Sequence, residues 1–174
     1  GAVTVEQLNT VLDWANLNGD GVTYDELTYS LVDSAANLLS LGDDELQHAS
    51  AVTATGQSSL NQAIDLYEAK PTAVYSVTTT AFMLASGNTD IKPALDHAVD
   101  LTASDEATVV QAQAILTYTN SGAKIYDLRD NVSNILAAGA AGNGAHNITV
   151  NNFNFMTVSD AQTIVNFTND GVTT

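Results

Sequence analysis

The sequence predicts an α/β fold made of strand-helix-strand-helix units of about 49 residues, with parallel strands in a solenoid-like arrangement. Three observations predict it: an internal repeat, short alternating apolar runs that each precede a helical pattern, and turn residues at matching places. The segment from Val52 aligns with the segment from Leu101, and further copies begin at Val3 and Met156. A compact α/β domain, or a mainly α domain with a small parallel sheet, is the alternative. One domain, residues 1–174, would contain units at about 3–51, 52–100, 101–155 and 156–174, the last one partial.

The first half of each unit combines a short strand with a helix. The apolar residues of the segment 109–116 have helical spacing, as do those of 60–67. Ser104 and Ser159 are predicted N-caps, and Ser159 with Gln162 matches the capping-box pattern. Strands are predicted where residues alternate in polarity, at Val3-Thr4-Val5, Val52-Thr53-Ala54, Leu101-Thr102-Ala103 and Met156-Thr157-Val158.

The second half of each unit begins at a recurring tyrosine: Tyr29, Tyr75 or Tyr126. Each tyrosine is predicted to open a second strand and to pack in an aromatic column. A short second helix follows and is predicted to stop at a glycine, because glycine ends helices without strain. These glycines are Gly42, Gly87 and Gly139, and the turns that separate the two halves contain Gly21, Pro71, Gly122 and Gly171.

Two further expectations concern packing. Trp14 is predicted to lie on the apolar face of the first helix, in the core. The fourth unit is predicted to stop before its second strand, so that residues 156–174 depend on cover from a neighbouring repeat or from a second copy of the chain.

The composition excludes several classes of partner. Twenty acidic residues against four basic residues give a formal charge of −16, which repels nucleic acid and anionic lipid surfaces. No run of 18 apolar residues is present, so we expect no membrane insertion. The chain has no cysteine and therefore no disulfide or thiol chemistry. An acidic chain favours cations such as Ca²⁺.

Two segments carry a resemblance to a known class of proteins. "TVSDAQTIV" and "YSLVDSAANLL" resemble the repeat regions of very large secreted bacterial surface proteins, the adhesin and S-layer-like proteins exported with calcium-binding tails. The resemblance implies a secreted or cell-surface location, a part in adhesion or biofilm structure, and no catalytic residue. The glycine-aspartate nonapeptides of such tails are absent from this sequence, so no calcium β-roll is implied.

The segment Asn16-Leu17-Asn18-Gly19-Asp20-Gly21 is the candidate metal site. Oxygen-bearing side chains alternate before a glycine, as in an EF-hand or dockerin loop, and a Ca²⁺ ion would take its ligands from these side chains and an acid further on. The loop is degenerate, because position 12 is Leu27 rather than an acid. An ordinary Asn/Asp/Gly turn is the alternative interpretation. The predicted calcium ligands are Asn16, Asn18, Asp20, Asp25 and Glu26.

Three histidines recur at equal spacing. His48, His97 and His146 are 49 residues apart, so the spacing predicts the same place in successive units. Equivalent residues two strands apart lie on the order of 10 Å from each other, too far for one shared metal ion. A structural role in the turn before a strand is therefore predicted, with a pH-sensitive histidine ladder as the alternative.

These observations predict a non-catalytic structural or adhesive repeat module. Its expected partners are neighbouring repeats or a second copy, and an extracellular polysaccharide or protein. A calcium-stabilised ligand-binding module and an accessory domain of a secreted enzyme are the alternatives. No nucleophile elbow, phosphate loop or HExxH motif occurs in the sequence.

Overall fold

The computed structural model describes residues 1–17, 27–152 and 156–174. The chain divides into two compact units, Gly1–Val77 and Thr78–Thr174, which we describe in turn. In the first unit the elements are β1 (Ala2–Val3), α1 (Val5–Leu17), β2 (Ser30–Ser34), α2 (Ala35–Leu38), α3 (Asp43–His48), β3 (Ala51–Ser59) and α4 (Leu60–Ala69), and β4 (Val74–Thr79) spans the boundary.

The second unit contains six further helices and four further strands among its described residues. They are α5 (Ala81–Leu84), α6 (Lys92–His97), β5 (Leu101–Ala103), α7 (Val109–Ile115), β6 (Lys124–Ile125), β7 (Leu128–Asn131), α8 (Val132–Leu136), α9 (Ala140–Asn143), β8 (Ile148–Asn151) and α10 (Val158–Ile164).

The fold is α/β with parallel strands, as the sequence predicts. Six strands form one sheet in the order β1-β2-β3-β4-β5-β6, and β7 and β8 form a second, two-stranded sheet. The pairing is parallel, with Leu31 opposite Val52 in the first unit and Leu128 opposite Ile148 in the second. Within each of these sheets, neighbouring strands are consecutive in the sequence, because a helical connection returns the chain to the same end of the sheet.

A polar residue caps each helix that directly follows a strand. Its side-chain oxygen accepts a hydrogen bond from the third amide of the helix, which satisfies a group that has no partner inside the helix. Four of these caps are reciprocal capping boxes, in which the third helical residue also bonds back to the cap. The boxes pair Thr4 with Gln7, Ser59 with Gln62, Thr108 with Gln111, and Thr157 with Asp160.

Two of the predicted N-caps are wrong. The cap of α7 is Thr108 rather than Ser104, because the extended backbone continues past Ser104: its amide donates to the Thr79 carbonyl. Ser159 lies inside α10, whose cap is Thr157. The predicted strand at Met156 is also wrong, since the strand of that unit is β8, which begins at Ile148.

The predicted single short helix after each second strand is two helices. α2 and α3, α5 and α6, and α8 and α9 follow one another as pairs. The chain changes direction between the members of a pair at Gly87 and Gly139, which have positive φ angles of 65° and 55° that favour glycine. The helical pattern therefore stops near the predicted glycines and then resumes.

The core consists of buried residues from β2, β3, β4, β5, β7 and β8 and of one face of each helix. Tyr75 and Tyr126 are 1 % exposed and Tyr29 is 5 % exposed, so the predicted burial of the recurring tyrosines is confirmed. Trp14 is 67 % exposed, and its predicted place in the core is wrong. Helix α1 has two apolar stripes, and it buries the one formed by Val5, Leu8 and Leu12.

Two of the recurring tyrosines bond through their hydroxyls to the later helix of the pair that follows them. Tyr29 donates to the Glu45 carbonyl at 2.7 Å, and Tyr126 donates to the Ala141 carbonyl at 3.0 Å. Tyr126 lies between β6 and β7, which belong to different sheets, so the predicted single strand there is interrupted.

Candidate functional site

A hydrogen-bonded turn recurs in the second unit. We name its two copies the Asn-x-Gly turns, Asn120–Gly122 and Asn169–Gly171. In the first copy, the Asn120 side-chain amide donates to the Val99 carbonyl at 2.9 Å. In the second, the Asn169 amide donates to the His146 carbonyl at 3.4 Å. Both acceptors lie two residues before a strand, β5 or β8, so each turn is tied to the start of the neighbouring strand.

The residue after each glycine completes the same arrangement. The Ala123 amide donates to Asp100 Oδ1 at 2.7 Å, and the Val172 amide donates to Asn147 Oδ1 at 2.8 Å. Asp100 and Asn147 each directly precede a strand. The two Asn-x-Gly turns therefore use the same bonds with side chains that differ only in charge.

Both turns require glycine for lack of space. A Cβ atom on Gly122 would overlap Asp100 Oδ1 and lie 2.8 Å from the Val99 carbonyl oxygen. A Cβ atom on Gly171 would overlap the His146 carbonyl oxygen and Asn147 Oδ1. Real Cβ contacts are longer, so any other residue would displace backbone atoms.

In the first unit a lysine takes the place of the asparagine. Lys70, three residues before Ala73 as Asn120 is before Ala123, donates from Nζ to the carbonyl oxygens of Gln47 and Ala49, each at 2.8 Å. One of the four basic residues of the chain is thus used to hold a turn against the end of α3.

Three aspartates near strand ends bond to the helix that starts one strand earlier. Asp33 accepts from the Val5 amide at 3.1 Å, Asp105 from the Ala81 amide at 2.6 Å, and Asp130 from the Val109 amide at 3.1 Å. A carboxylate at a helix start satisfies an unpaired amide and favours the positive end of the helix dipole. These carboxylates have a structural use.

Asp33 lies at a polar groove of about 580 Å³ between α1 and α2. The Asn37 side chain and then the amides of Ser34 and Val5 hold the pKa of Asp33 below its ordinary value of 3.8. The ionised carboxylate accepts three hydrogen bonds, from the Val5 amide, the Ser34 amide and Asn37 Nδ2. The groove is lined by Thr4, Val5, Glu6, Asn9, Thr10, Asp13, Asp33, Asn37 and Ser40.

The groove offers oxygen atoms. Glu6 and Asp13 are two turns apart on the same face of α1, and among the described residues no histidine, lysine or arginine lines the groove. General acid-base or nucleophilic catalysis needs a second group within hydrogen-bond reach of the first. The lining residues alone can bind a cation or a hydroxyl-rich ligand.

The predicted calcium ligands cannot be placed against one another. Asn18, Asp20, Asp25 and Glu26 lie outside the described residues; Asn16 belongs to α1, and its side chain lies outside them too. Within the described part of the chain, no three His, Cys, Asp or Glu side chains are grouped so that they could hold a metal ion. The calcium site stays a prediction.

The histidines are only partly equivalent. His48 and His97 are the last residues of α3 and α6, and His48 Nδ1 bonds to the Asp44 carbonyl at 2.6 Å. His146 follows the shorter helix α9, lies two residues before β8, and bonds through Nδ1 to Asp127 Oδ1 at 3.1 Å. The equal spacing of 49 residues therefore does not give His146 the place that the other two share.

Asn120 is the residue of this arrangement that none of the sequence motifs above indicates. It is 7 % exposed and follows helix α7. The signal that could have found it is the recurrence of Asn-x-Gly 49 residues later, at Asn169.

Comparison with known proteins gives no relative. No protein-family model, no curated protein and no solved structure matches the chain. Across the described residues, no helix has the length and apolar character needed to cross a membrane.

Proposed function

We propose that this chain is a non-catalytic structural or adhesive repeat module of a secreted or cell-surface bacterial protein, with its units stacked as a solenoid. The observation that carries the proposal is the recurrence of the same hydrogen-bonded parts at an interval of 49 residues. Capping boxes begin at Ser59, Thr108 and Thr157, and the two Asn-x-Gly turns begin at Asn120 and Asn169. Equal bonding at equal intervals is typical of repeat arrays.

The use of the polar side chains supports a structural role. The best-connected polar groups, such as Asp33, Asp130, Asn120 and Lys70, bond to backbone atoms of the adjacent half-unit. A catalytic site needs groups whose bonding capacity is left for a substrate. In a repeat module, polar side chains use their hydrogen-bonding capacity to connect one unit to the next.

The acidic composition supports a role in an extracellular array and bears on the choice of partners. A charge of −16 keeps a long array soluble and disfavours binding to nucleic acid. The proposed partners are neighbouring repeats of a longer chain or a second copy, and an extracellular polysaccharide or protein.

Removal of one whole unit tests the proposal. Deletion of residues 108–156 joins Ala107 to Thr157, so one capping box replaces another in the same position. We expect a folded variant with cooperative thermal unfolding and an α/β circular dichroism spectrum, since each unit of an array contacts only its neighbours.

A deletion of another length is the matched control. Removal of residues 108–144 joins Ala107 to Ala145, out of phase with the repeat, and should give an unfolded or aggregated chain. If the in-phase variant unfolds as completely as the control, the units are parts of one indivisible domain and the repeat module is refuted.

A further inference from the structure

Three Asn-x-Ser/Thr triplets occur in the sequence. They are Asn131-Val132-Ser133, Asn147-Ile148-Thr149 and Asn166-Phe167-Thr168. This triplet is the acceptor pattern for N-linked glycosylation in exported proteins. Because Asn, Ser and Thr are abundant in this chain, the triplet alone carries little information, and its position in the fold decides whether an enzyme can use it.

The first triplet is committed to capping a helix. Asn131 is the N-cap of α8, and its Oδ1 accepts hydrogen bonds from the Asn134 amide at 3.0 Å and from Ser133 Oγ at 2.6 Å. The triplet hydroxyl is therefore bonded to the acceptor residue itself. To bind the triplet, a transferase would have to draw Asn131 and Ser133 out of the first turn of α8 and break both of these hydrogen bonds, including the one that caps the helix.

The second triplet lies in the sheet. Asn147 Nδ2 donates to Asp127 Oδ1 at 2.8 Å, and Asn147 Oδ1 accepts from the Val172 amide at 2.8 Å. The middle residue, Ile148, is completely buried and begins β8. A glycosyltransferase could reach this asparagine only after β8 leaves the sheet.

The third triplet is exposed at the end of a helix. Asn166 and Thr168 are both exposed and follow α10, which ends at Ile164. Among the described residues no side-chain hydrogen bond involves Asn166. Its amide donates to the Thr163 carbonyl at 3.3 Å, a long bond typical of a last helical turn.

Few contacts hold this segment in place. The Thr168 amide donates to Asn143 Oδ1 at 3.2 Å, and the Phe167 ring lies against Gly142. Release of these two contacts, together with the amide bonds of Asn166 and Phe167 to the last turn of α10, frees the triplet without breaking any strand pairing. Local opening of that size is common at helix ends.

We infer that Asn166 is an acceptor site for an N-linked glycan, and that Asn131 and Asn147 are not acceptors in the folded protein. The inference rests on the proposed export of the chain, where the transferase and its activated sugar donor are encountered. A bond forms between Asn166 Nδ2 and the anomeric carbon of the donor sugar, and the bond from that carbon to the donor's phosphate leaving group breaks. The proton lost from Nδ2 passes to a base of the transferase.

The test uses the intact folded chain, a purified N-glycosyltransferase that recognises Asn-x-Ser/Thr, and its phosphate-activated sugar donor. We expect intact-mass spectrometry to show one added glycan, and peptide mapping to place it at Asn166. Thr168→Ala should abolish the addition, while Ser133→Ala and Thr149→Ala should leave it unchanged. The last two are matched controls, because each removes one of the other triplets.

Two results would overturn the inference. One is a folded chain that stays unmodified under conditions in which the urea-unfolded chain is modified. The other is a glycan at Asn131 or Asn147 of the folded chain. Neither result bears on the in-phase deletion, so failure of the glycan site and failure of the repeat module are distinguishable.

Discussion

Substitution of Gly122 by alanine tests whether the Asn-x-Gly turn supports the stability of the second unit. The new Cβ would overlap Asp100 Oδ1 and lie 2.8 Å from the Val99 carbonyl oxygen. Rotation of the Asp100 side chain would relieve the first contact and break its 2.7 Å bond from the Ala123 amide. The second contact is to backbone, and the same carbonyl accepts from the Gly122 amide at 2.8 Å and from Asn120.

These losses set the expected magnitude. Loss of a hydrogen bond to a charged group costs about 1.5–3 kcal/mol, and overpacking against backbone adds about 1–3 kcal/mol. We therefore expect Gly122→Ala to lower the free energy of unfolding by about 3 kcal/mol. For a chain of this length that corresponds to a fall in Tm of about 6–12 °C.

Urea denaturation followed by circular dichroism measures the change. Ser121→Ala is the matched control, because Ser121 is the exposed neighbour in the same turn and should change stability by less than about 0.5 kcal/mol. Gly171→Ala should destabilise in the same direction, since the same two contacts are blocked. A Gly122→Ala variant as stable as Ser121→Ala would refute the argument.

Three further predictions concern Tyr126, Asp33 and the candidate calcium site. Tyr126→Phe removes the hydrogen bond to the Ala141 carbonyl and should lower the free energy of unfolding in urea by about 1–3 kcal/mol. Burial raises the pKa of Tyr126 to about 12, so the wild type should also lose stability between pH 10 and 12. A Phe variant with wild-type stability would contradict the contribution of this hydrogen bond. The lowered pKa of Asp33 contributes stability above pH 3.8 that is lost as the pH falls through the folded-state pKa. Asp33→Asn should therefore be less stable than the wild type at pH 7, and its stability should depend less on acid pH. An acid-unfolding curve identical to that of the wild type would count against this role of Asp33. Millimolar Ca²⁺ should raise the Tm if the loop of Asn16, Asn18, Asp20, Asp25 and Glu26 binds it, and a flat titration would remove the site.

The periodic residues predicted the fold class, because each maps to a fixed packing position. Buried tyrosines at 29, 75 and 126 and the apolar face of 109–116 placed strands and helices in the correct order. Parallel pairing was the expected direction, since adjacent parallel strands need a crossover connection and each helix between two strands supplies one. The local sequence pattern was sufficient to predict the elements where equivalent residues have equivalent neighbours in each unit.

The wrong predictions arise where equivalent helices differ in length or where two apolar stripes of one helix compete for the core. His146 loses equivalence because α9 has four residues, whereas α3 and α6 have six, so an equal interval ends at a different place. Trp14 is exposed because α1 carries a second apolar stripe, Val5, Leu8 and Leu12, which fills the core.

The contacts between half-units could not be predicted from the sequence. The aspartates that bond to an earlier helix act over 28, 24 and 21 residues, at Asp33, Asp105 and Asp130, so no fixed interval indicates them. A β-bridge after α10 was also missed. Thr173 forms an isolated parallel bridge with Ile148 of β8, and the Ile148 amide donates to the Val172 carbonyl at 2.9 Å. The prediction that the chain stops before any pairing in the second half of this unit is therefore wrong.

Helix α10 should nevertheless be less stable than α7, for a reason visible at one pair of equivalent residues. Val109 and Val158 each begin a helix after a capping-box threonine, yet Val109 is 5 % exposed and Val158 is 76 % exposed. The Asp130 carboxylate bonds to the Val109 amide, and β7 and α9 pack against α7.

Burial of one valine side chain stabilises by about 1.5–3 kcal/mol. Local opening of α10 should therefore cost about 2 kcal/mol less than opening of α7, which corresponds to protection factors about 30-fold lower at 1.4 kcal/mol per tenfold change. Hydrogen exchange of a dilute monomer, resolved to peptides of α7 and α10, measures the difference. The internal control is α4, which begins with the same kind of capping box, at Ser59, and buries Leu60, Ala63 and Leu66. Its amides should be protected as strongly as those of α7. Equal protection of α10 and α7 would show that the exposed valine face costs the helix nothing, and the dependence of this segment on cover from a neighbouring repeat would then be refuted.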